Sequence, residues 1–228
     1  MINNRLIYIN IILSGILFGL LVSYPALDLK FSQLFYDHDH GFIYRNNFVV
    51  RFLFLLIPPL TKIFVAACII FFCFQRYKHK NFKKTLSSWI AYLIIAVTIG
   101  PGLIVNQILK NDIGRARPSQ ITEFGGSKNF TAAAIITDQC HYNCSFPSGH
   151  AAMAYYYTIL AYTTLLFSNK NKKYFTIIYI SALLFGTLTG LSRILMGGHF
   201  LSDVIASCFI ILTINHLLFL WWQKQQIA

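Results

Sequence analysis

Long apolar runs separated by short polar segments are the main feature of this sequence. Each run is close to the roughly 20 residues that a helix needs to cross the hydrocarbon core of a bilayer. We therefore predict an all-α, polytopic membrane bundle with six transmembrane helices, which forms a single domain over residues 1–228. The predicted spans are Ile7–Leu27, Pro58–Phe74, Trp89–Leu109, His150–Phe167, Tyr174–Leu191 and Leu201–Trp222. The stretch Asn47–Ile57, just before the double proline, is interpreted as a short lead-in along the membrane surface.

Composition supports a membrane protein and excludes several other classes. Of the 228 residues, 56% are hydrophobic and 11% are charged, against about 25% charged in an ordinary soluble domain. This bias excludes intrinsic disorder, collagen-like repeats and a disulfide-dense secreted scaffold. The net charge of +12 falls mostly between the apolar runs, so we expect anionic lipid or phosphate as partners and no nucleic acid.

The basic residues also predict the orientation in the membrane. Gln75–Lys84 carries five Lys or Arg residues and Ser168–Lys173 carries three. The positive-inside rule places these two loops, and with them both termini, in the cytoplasm. The long loops Asp28–Ile57 and Lys110–Ser148 then face the periplasm of a bacterial inner membrane. The first apolar run has no clear cleavage site and is predicted to be retained as a span.

The five cysteines fall into two groups. Cys140 and Cys144 lie four residues apart in the long outward loop, where an oxidising compartment would let them form a disulfide. A zinc site is the alternative, but no second ligand pair follows at finger-like spacing. Cys68, Cys73 and Cys208 lie within predicted spans and are interpreted as packing residues.

Three polar clusters, at residues 110–118, 144–150 and 192–203, lie at the outward ends of predicted spans. Their cations are Lys110, Arg117 and Arg193, and an arginine can grip phosphate oxygens through two nitrogens. Ser148 and Gly149 open a helix whose free backbone N–H groups are suited to phosphate. We therefore predict a phosphate-binding site in which these five residues meet at one face of the membrane. Arg115 either adds to this site or is a solvated loop arginine.

The same clusters contain a candidate nucleophile and a candidate acid. His199 and Asp203 are four residues apart, so on a helix they share a face, and the carboxylate can hydrogen-bond one imidazole nitrogen. The other nitrogen is then aimed and more nucleophilic. His150 is available as a separate acid for the leaving oxygen. No other group of carboxylates or histidines has the spacing of Mg²⁺ or Zn²⁺ ligands, so we predict no metal and no other cofactor.

The clusters read Lys-x6-Arg-Pro, Pro-Ser-Gly-His and Ser-Arg-x5-His-x3-Asp in that order. This resembles the three-part signature of the type 2 phosphatidic acid phosphatase superfamily. The resemblance implies metal-independent hydrolysis of phosphate esters through a phosphohistidine. By position it makes His199 the nucleophile, Asp203 its orienting partner and His150 the general acid. It implies that the phosphoryl group is bound by Lys110, Arg117, Ser148, Gly149 and Arg193.

A looser resemblance concerns the substrate. The chain looks like bacterial lipid A phosphatases, particularly the 4′-phosphatase group. The residues that carry this likeness are Gly100-Pro101-Gly102, Asn106, Gly114, Phe124-Gly125-Gly126, Cys140, Cys144 and Gly197-Gly198-His199-Phe200. It implies that a phosphorylated membrane lipid is the partner and that the 4′-phosphate of lipid A is removed.

Other substrates and other classes of protein remain alternatives. Undecaprenyl diphosphate, phosphatidylglycerophosphate and phosphatidic acid compete as substrates. A non-catalytic phospholipid-binding or transport protein would use the same cations, but it has no need for the His199–Asp203 pair together with His150. A soluble vanadate haloperoxidase shares the motif logic, and six apolar spans argue against it. The sequence leaves the oligomeric state open.

Overall fold

The computed structural model describes residues 4–78, 84–167 and 172–227, which are mainly helical. In chain order the helices are α1 (Asn4–Ser23), α2 (Ala26–Gln33), α3 (Phe48–Lys78), α4 (Lys84–Val97), α5 (Lys110–Ile113), α6 (Gly149–Tyr156), α7 (Ile159–Phe167), α8 (Lys172–Leu195) and α9 (Leu201–Ile227). A π-helical segment, Thr98–Leu109, joins α4 to α5. Strands β1 (Tyr36–Asp37) and β2 (Gly41–Phe42) form a short antiparallel hairpin between α2 and α3.

Five helical runs in the described ranges are long and apolar enough to cross a membrane: Arg5–Ser23, Phe48–Tyr77, Ser88–Gln120, Lys172–Leu195 and Leu201–Gln225. Large apolar side chains such as Ile12, Ile63 and Leu184 point outward from them. A soluble monomer rarely exposes contiguous apolar surface on this scale. The predicted helical membrane protein is therefore confirmed, whereas the structure shows five such runs where the sequence predicted six.

The difference lies in the fourth predicted span, which is two short helices, α6 and α7, separated at Tyr157 and Thr158. Asn215 of α9 compensates for this break. Its side-chain amide donates to the Tyr156 carbonyl at 3.1 Å and to the Thr158 hydroxyl at 3.0 Å. A broken helix is tolerated at membrane depth where neighbouring side chains satisfy the freed backbone groups. Hydropathy does not reveal the break, because the residues on both sides of it are apolar.

The second span begins about ten residues earlier than predicted. Asn47 caps α3, since its side-chain oxygen accepts hydrogen bonds from the backbone N–H groups of Val49 at 3.0 Å and Val50 at 3.3 Å. The helix then continues through Pro58 and Pro59. The lead-in predicted at residues 47–57 is therefore continuous with the second span, because prolines inside a membrane helix need not end it.

The helices pack around a buried aromatic core. Helix α1 lies along α9, and α6 packs against both α8 and α9. Near the C-terminal end of α9, Phe219 and Trp222 pack against Trp89 and Tyr92 of α4. The hairpin packs against the loop that follows α5, through Phe42 and Tyr36 on Phe124. This loop and α2 lie at the end of the bundle that carries the polar clusters.

The predicted orientation depends in part on residues that the structure does not describe. Residues 79–83 and 168–171, which contain Lys80, Lys83 and Lys170, lie outside the described ranges.

We expect close packing of α8 on α6 to depend on Gly186. A Cβ added there would lie 2.2 Å from the Tyr155 ring, so Gly186→Ala should destabilise the fold by about 1–3 kcal/mol through overpacking. Gly19→Ala on α1 is the matched control, because an added Cβ there meets no atom within 4 Å. Thermal unfolding of the detergent-solubilised variants measures the difference. Equal midpoints for the two variants would contradict the close contact.

Candidate active site

The three polar clusters meet at one end of the bundle, where α8 ends and α6 and α9 begin. The Ser148 backbone N–H donates to the Asp203 carbonyl at 3.1 Å. The Ser207 hydroxyl lies 2.9 Å from the Ser148 carbonyl oxygen and 2.8 Å from that of Asp203. A Cβ added to Gly149 would lie 3.3 Å from the Lys110 ammonium nitrogen, so the first cluster reaches the start of α6. The sequence-predicted residues are thus brought together.

His199 lies in the turn between α8 and α9 and is almost fully buried. Its Nδ1 is 2.7 Å from the Ser145 carbonyl oxygen. A carbonyl can only accept, so Nδ1 carries the proton and the ring's free lone pair is on Nε2. Burial lowers the pKa of His199 well below the ordinary histidine value. The imidazole is therefore neutral at neutral pH, as a nucleophile requires.

Asp203 is held by three donors, none of which is His199. Its carboxylate accepts from Arg115 Nη1 at 2.6 Å, from the Ser145 hydroxyl at 2.5 Å and from the Phe200 backbone N–H at 2.8 Å. The distance from Asp203 Oδ2 to His199 Nδ1 is 3.6 Å, which is too long for a hydrogen bond. The expected direct bond is thus replaced by one from His199 to the Ser145 carbonyl. Asp203 acts on the imidazole through its charge.

The sequence did not decide whether Arg115 belongs to the site or is a solvated loop residue. In the structure it is fully buried. It bonds Asp203 on one side and Asp28 Oδ2 at 2.9 Å on the other. Its Nε donates to the Thr131 carbonyl, and the guanidinium lies 4.1 Å from the Phe200 ring centroid. The interpretation as a solvated loop arginine is therefore wrong.

Asp28 of α2 was missed by the sequence reasoning. It also accepts hydrogen bonds from the backbone N–H and the hydroxyl of Ser202. Burial raises the pKa of the Asp28 carboxyl, and the Arg115 charge opposes that rise. Because every one of these partners donates, Asp28 is ionised. No signal near Asp28 in the sequence marks it, since Arg115 is 87 residues away along the chain.

His150 is packed against a second residue that the sequence did not indicate, Phe54 of α3. The two ring centroids are 4.7 Å apart, and the Arg193 guanidinium lies 4.3 Å from the same phenyl ring. Within the described part of the chain, the Nε2 atom of His150 is buried and has no hydrogen-bond partner. An unpartnered buried polar atom costs free energy, so this nitrogen is suited to bond a group that enters the site.

The cations of the site are not neutralised by the protein. Across residues 4–78, 84–167 and 172–227, no ion pair involves Lys110, Arg117 or Arg193. Lys110 and Arg193 are buried, and Arg193 Nε has no hydrogen-bond partner in those ranges. The three charges are close enough to repel one another. Such a cluster favours an anion that satisfies all three.

Ser148 and the disulfide loop complete the surroundings. The Ser148 hydroxyl caps α6 by accepting from the Ala151 N–H, and the start of this helix lies beside the Lys110 ammonium. The structure joins Cys140 and Cys144 in a disulfide. The small loop that it closes presents the Asn143 carbonyl to the Arg117 guanidinium, with N–O distances of 2.6 and 3.1 Å.

The arrangement is suited to the chemistry of a phosphate monoester. It combines an anion site of three cations and a helix start with a neutral imidazole whose free nitrogen is Nε2. Among the described residues no group of three His, Cys, Asp or Glu side chains is arranged to hold a metal ion. The positive charge that the described residues bring to the site is that of Lys110, Arg117 and Arg193.

Comparison with known proteins agrees with this geometry. The chain is 34% identical over 183 residues to a lipid A 4′-phosphatase of Francisella tularensis subsp. novicida (strain U112), covering 80% of each chain. It is 36% identical over 197 residues to a lipid A 4′-phosphatase of Rhizobium etli (strain ATCC 51251 / DSM 11541 / JCM 21823 / NBRC 15573 / CFN 42), covering 80% of this chain and 74% of the other.

A solved structure has the same fold. The crystal structure of a transmembrane PAP2 type phosphatidylglycerolphosphate phosphatase from Bacillus subtilis matches with a TM-score of 0.52 and covers 94% of this chain and 96% of that one. The sequence identity is 17%, so this likeness concerns the fold alone. The sequence pattern of the PAP2 superfamily matches residues 91–227, which include all three polar clusters and more than half of the chain. The chain therefore belongs to the PAP2 superfamily.

Proposed function

We propose that this protein is a metal-independent membrane lipid phosphatase that removes the 4′-phosphate of lipid A. The observation that carries the reaction is a set of three cations near a neutral His199 whose free nitrogen is Nε2. Within the described residues these cations make no ion pair. The choice of lipid rests on the two lipid A 4′-phosphatases above, since their likeness extends over four-fifths of this chain.

In the first half of the reaction His199 Nε2 attacks the phosphorus atom. The bond from phosphorus to the sugar oxygen breaks, and His150 donates a proton to that oxygen as it leaves. Lys110, Arg117 and Arg193 neutralise the charge on the phosphoryl oxygens, and the Ser148–Gly149 helix start adds backbone donors. The dephosphorylated lipid leaves, and a phosphohistidine remains.

In the second half of the reaction water hydrolyses the phosphohistidine. His150, now unprotonated, takes a proton from the water as the water oxygen bonds to phosphorus. The phosphorus–nitrogen bond breaks, inorganic phosphate is released, and His199 returns to its neutral form. His150 is thereby reprotonated for the next turnover.

Asp203 and Arg115 act on His199 without touching the substrate. The Ser145 carbonyl fixes the imidazole, while Asp203 at 3.6 Å stabilises the positive charge that develops as Nε2 bonds to phosphorus. Arg115 holds Asp203 in place and is itself held by Asp28. Arg115 and Asp28 are thus positioning residues.

We further propose that α6 and α7 cross the membrane together as one of six spans. Helix α8 has 24 residues, about 36 Å at 1.5 Å per residue, and it ends at the site. It therefore starts at the opposite end of the bundle. Helix α6 starts at the site and α7 ends only a few residues before α8 begins, so the pair has to cover the same distance. Six crossings place both termini on the side opposite the site.

The positive-inside rule makes that side the cytoplasm, so the site faces the periplasm from the inner membrane. Alkaline phosphatase fused after Asp138 should be active in cells, because the loop is exported with its fusion partner. The same fusion after Lys80 should be inactive. The reverse pattern of activities would refute the orientation.

The function itself is tested with a panel of lipid phosphates. Purified protein in detergent should release phosphate from lipid A and leave the 1-phosphate in place, as mass spectrometry of the product would show. Excess EDTA should not change the rate, because Lys110, Arg117 and Arg193 supply the positive charge. If the protein hydrolyses phosphatidic acid, phosphatidylglycerophosphate or undecaprenyl diphosphate faster than lipid A, that lipid is the substrate and the lipid A assignment is wrong. Loss of activity in EDTA with rescue by a divalent cation would contradict the metal-independent mechanism.

The two histidines should be separable by the choice of leaving group. His150→Ala removes acid assistance, which is worth roughly 10²–10⁴-fold, so lipid hydrolysis should fall by that order. A nitrophenyl phosphate has a good leaving group that needs little protonation, and its hydrolysis should fall much less. His199→Ala removes the nucleophile and should abolish turnover of both substrates and any phosphoenzyme. His38→Ala, an exposed loop histidine, is the control. Turnover by His199→Ala would overturn the assignment.

The role of Arg115 is tested by restoring charge balance without restoring the arginine. Arg115→Met leaves two buried carboxylates without their shared partner and should cost about 3–5 kcal/mol of folding free energy. Adding Asp28→Asn removes one of these charges and should recover much of that stability. Turnover should remain low. The acid limb of kcat/KM should move to higher pH, because an uncompensated Asp203 raises the pKa of His199.

Thermal unfolding and pH–rate profiles measure these two effects separately. Arg51→Met, which replaces an exposed arginine of α3, is the matched control and should change neither. Recovery of full activity together with stability in the double variant would mean that Arg115 supports the fold and does not position Asp203.

A further inference from the structure

A polar hollow opens beside the phosphate-binding residues. One wall is helical and carries Asn106, Gln107 and Asn111, and the other is the disulfide loop with His141, Tyr142 and Asn143. Lys110 lies between them and belongs to both the hollow and the phosphate site. The volume of the hollow is about 440 Å³, within the ~300–1,000 Å³ of ordinary ligand sites. We refer to it as the side pocket.

The side pocket differs from the phosphate site in its charge. Apart from Lys110, its lining consists of amides, an imidazole and a phenol, with no carboxylate and no arginine side chain. In the described part of the chain the side-chain amides of Gln107 and Asn111 make no hydrogen bond to protein and are exposed. Amides both donate and accept, as hydroxyl groups do. This lining suits a neutral group with several hydroxyls better than a second phosphate.

Both walls are fixed in position and connected to the phosphate site. The Asn106 amide donates to the Pro101 carbonyl at 2.7 Å, while its side-chain oxygen lies beside Gly149 at the start of α6. On the opposite wall the Cys140–Cys144 bond closes the loop, and the Asn143 carbonyl is held by Arg117. A group attached to a phosphate bound at Lys110 and Arg117 would therefore enter a pocket whose two walls are already held in place at the backbone. Ordering fewer groups on binding lowers the entropic cost.

We propose that the side pocket binds the sugar ring that carries the scissile phosphate. This rests on the proposed phosphatase function and makes its substrate a phosphorylated saccharide rather than a simple glycerolipid. The ring hydroxyls bond the amides of Gln107 and Asn111. The apolar face of the ring lies against the aromatic side chain of Tyr142 or His141, which offers a large and rigid contact area.

Glycerol is another hydroxyl-bearing group that a lipid phosphate can present, and it is an acyclic chain without a flat face. The aromatic side chains of the loop therefore favour the sugar. A diphosphate is disfavoured because the side pocket offers no cation other than Lys110 for the second phosphate. The three chemistries can be compared directly as inhibitors.

The test measures inhibition of nitrophenyl phosphate hydrolysis by purified full-length protein, so it does not depend on which lipid is the substrate. N-acetylglucosamine 4-phosphate, glycerol 3-phosphate, pyrophosphate and inorganic phosphate are the probes. N-acetylglucosamine 4-phosphate, whose sugar is uncharged, should inhibit with a Ki about tenfold below that of inorganic phosphate, since each added hydrogen bond contributes about two- to tenfold. The variant Asn111→Ala/Tyr142→Ala should remove this preference and leave inhibition by inorganic phosphate unchanged. Asn129→Ala, an exposed amide between α5 and the disulfide loop and outside the pocket, is the matched control and should keep the preference.

Three outcomes overturn the proposal: equal inhibition by N-acetylglucosamine 4-phosphate and inorganic phosphate, a preference that survives in the double variant, or a stronger preference for glycerol 3-phosphate or pyrophosphate. Unchanged inhibition by inorganic phosphate and an unchanged unfolding midpoint show that the double variant is folded. If the sugar preference is present but lipid A is not hydrolysed, the lipid A assignment fails and the side pocket stands.

Discussion

The buried arginine between two carboxylates is the interaction on which the rest of the site depends. Arg115 bonds Asp28 and Asp203, and so connects α2, the loop after α5 and the first turn of α9. Taking three charges out of water is costly, and replacing such a triad with apolar residues is often neutral or stabilising. A gain in folding stability therefore does not by itself account for the presence of this buried triad. Its consequence for function is a carboxylate held at a fixed distance from His199.

His199, the proposed nucleophile, stays neutral beside this negative charge. Burial lowers the pKa of His199 more than Asp203 raises it, and Arg115 draws on the same carboxylate. The proton on Nδ1 is held by the Ser145 carbonyl. The imidazole therefore keeps the tautomer with a free Nε2 without being protonated in advance. In the proposed reaction, Asp203 still stabilises the cation that forms when Nε2 attacks.

Much of this site could be predicted from the sequence because its residues lie at helix ends with fixed local spacing. Lys110, Ser148, His150, Arg193 and His199 follow or precede apolar runs, and ends on one side of a membrane must lie near one another. Asp28 and Phe54 could not be predicted in this way, since each reaches the site from a distant element with no polar motif around it. The break between α6 and α7 was equally hidden, because Asn215 compensates for it from another helix.

If the two proposals above hold, the charge pattern at this end of the bundle gives the site two parts with different selectivity. Lys110, Arg117 and Arg193 lack carboxylate partners in the described ranges, so their mutual repulsion is relieved only when an anion binds, and any phosphate monoester satisfies that requirement. Discrimination among esters must then come from the group that the phosphate is attached to. Lys110 is one of the three cations and also lines the neutral side pocket. In the proposed reaction, a substrate therefore gains from both parts only if a hydroxyl-rich group is bonded directly to its phosphate.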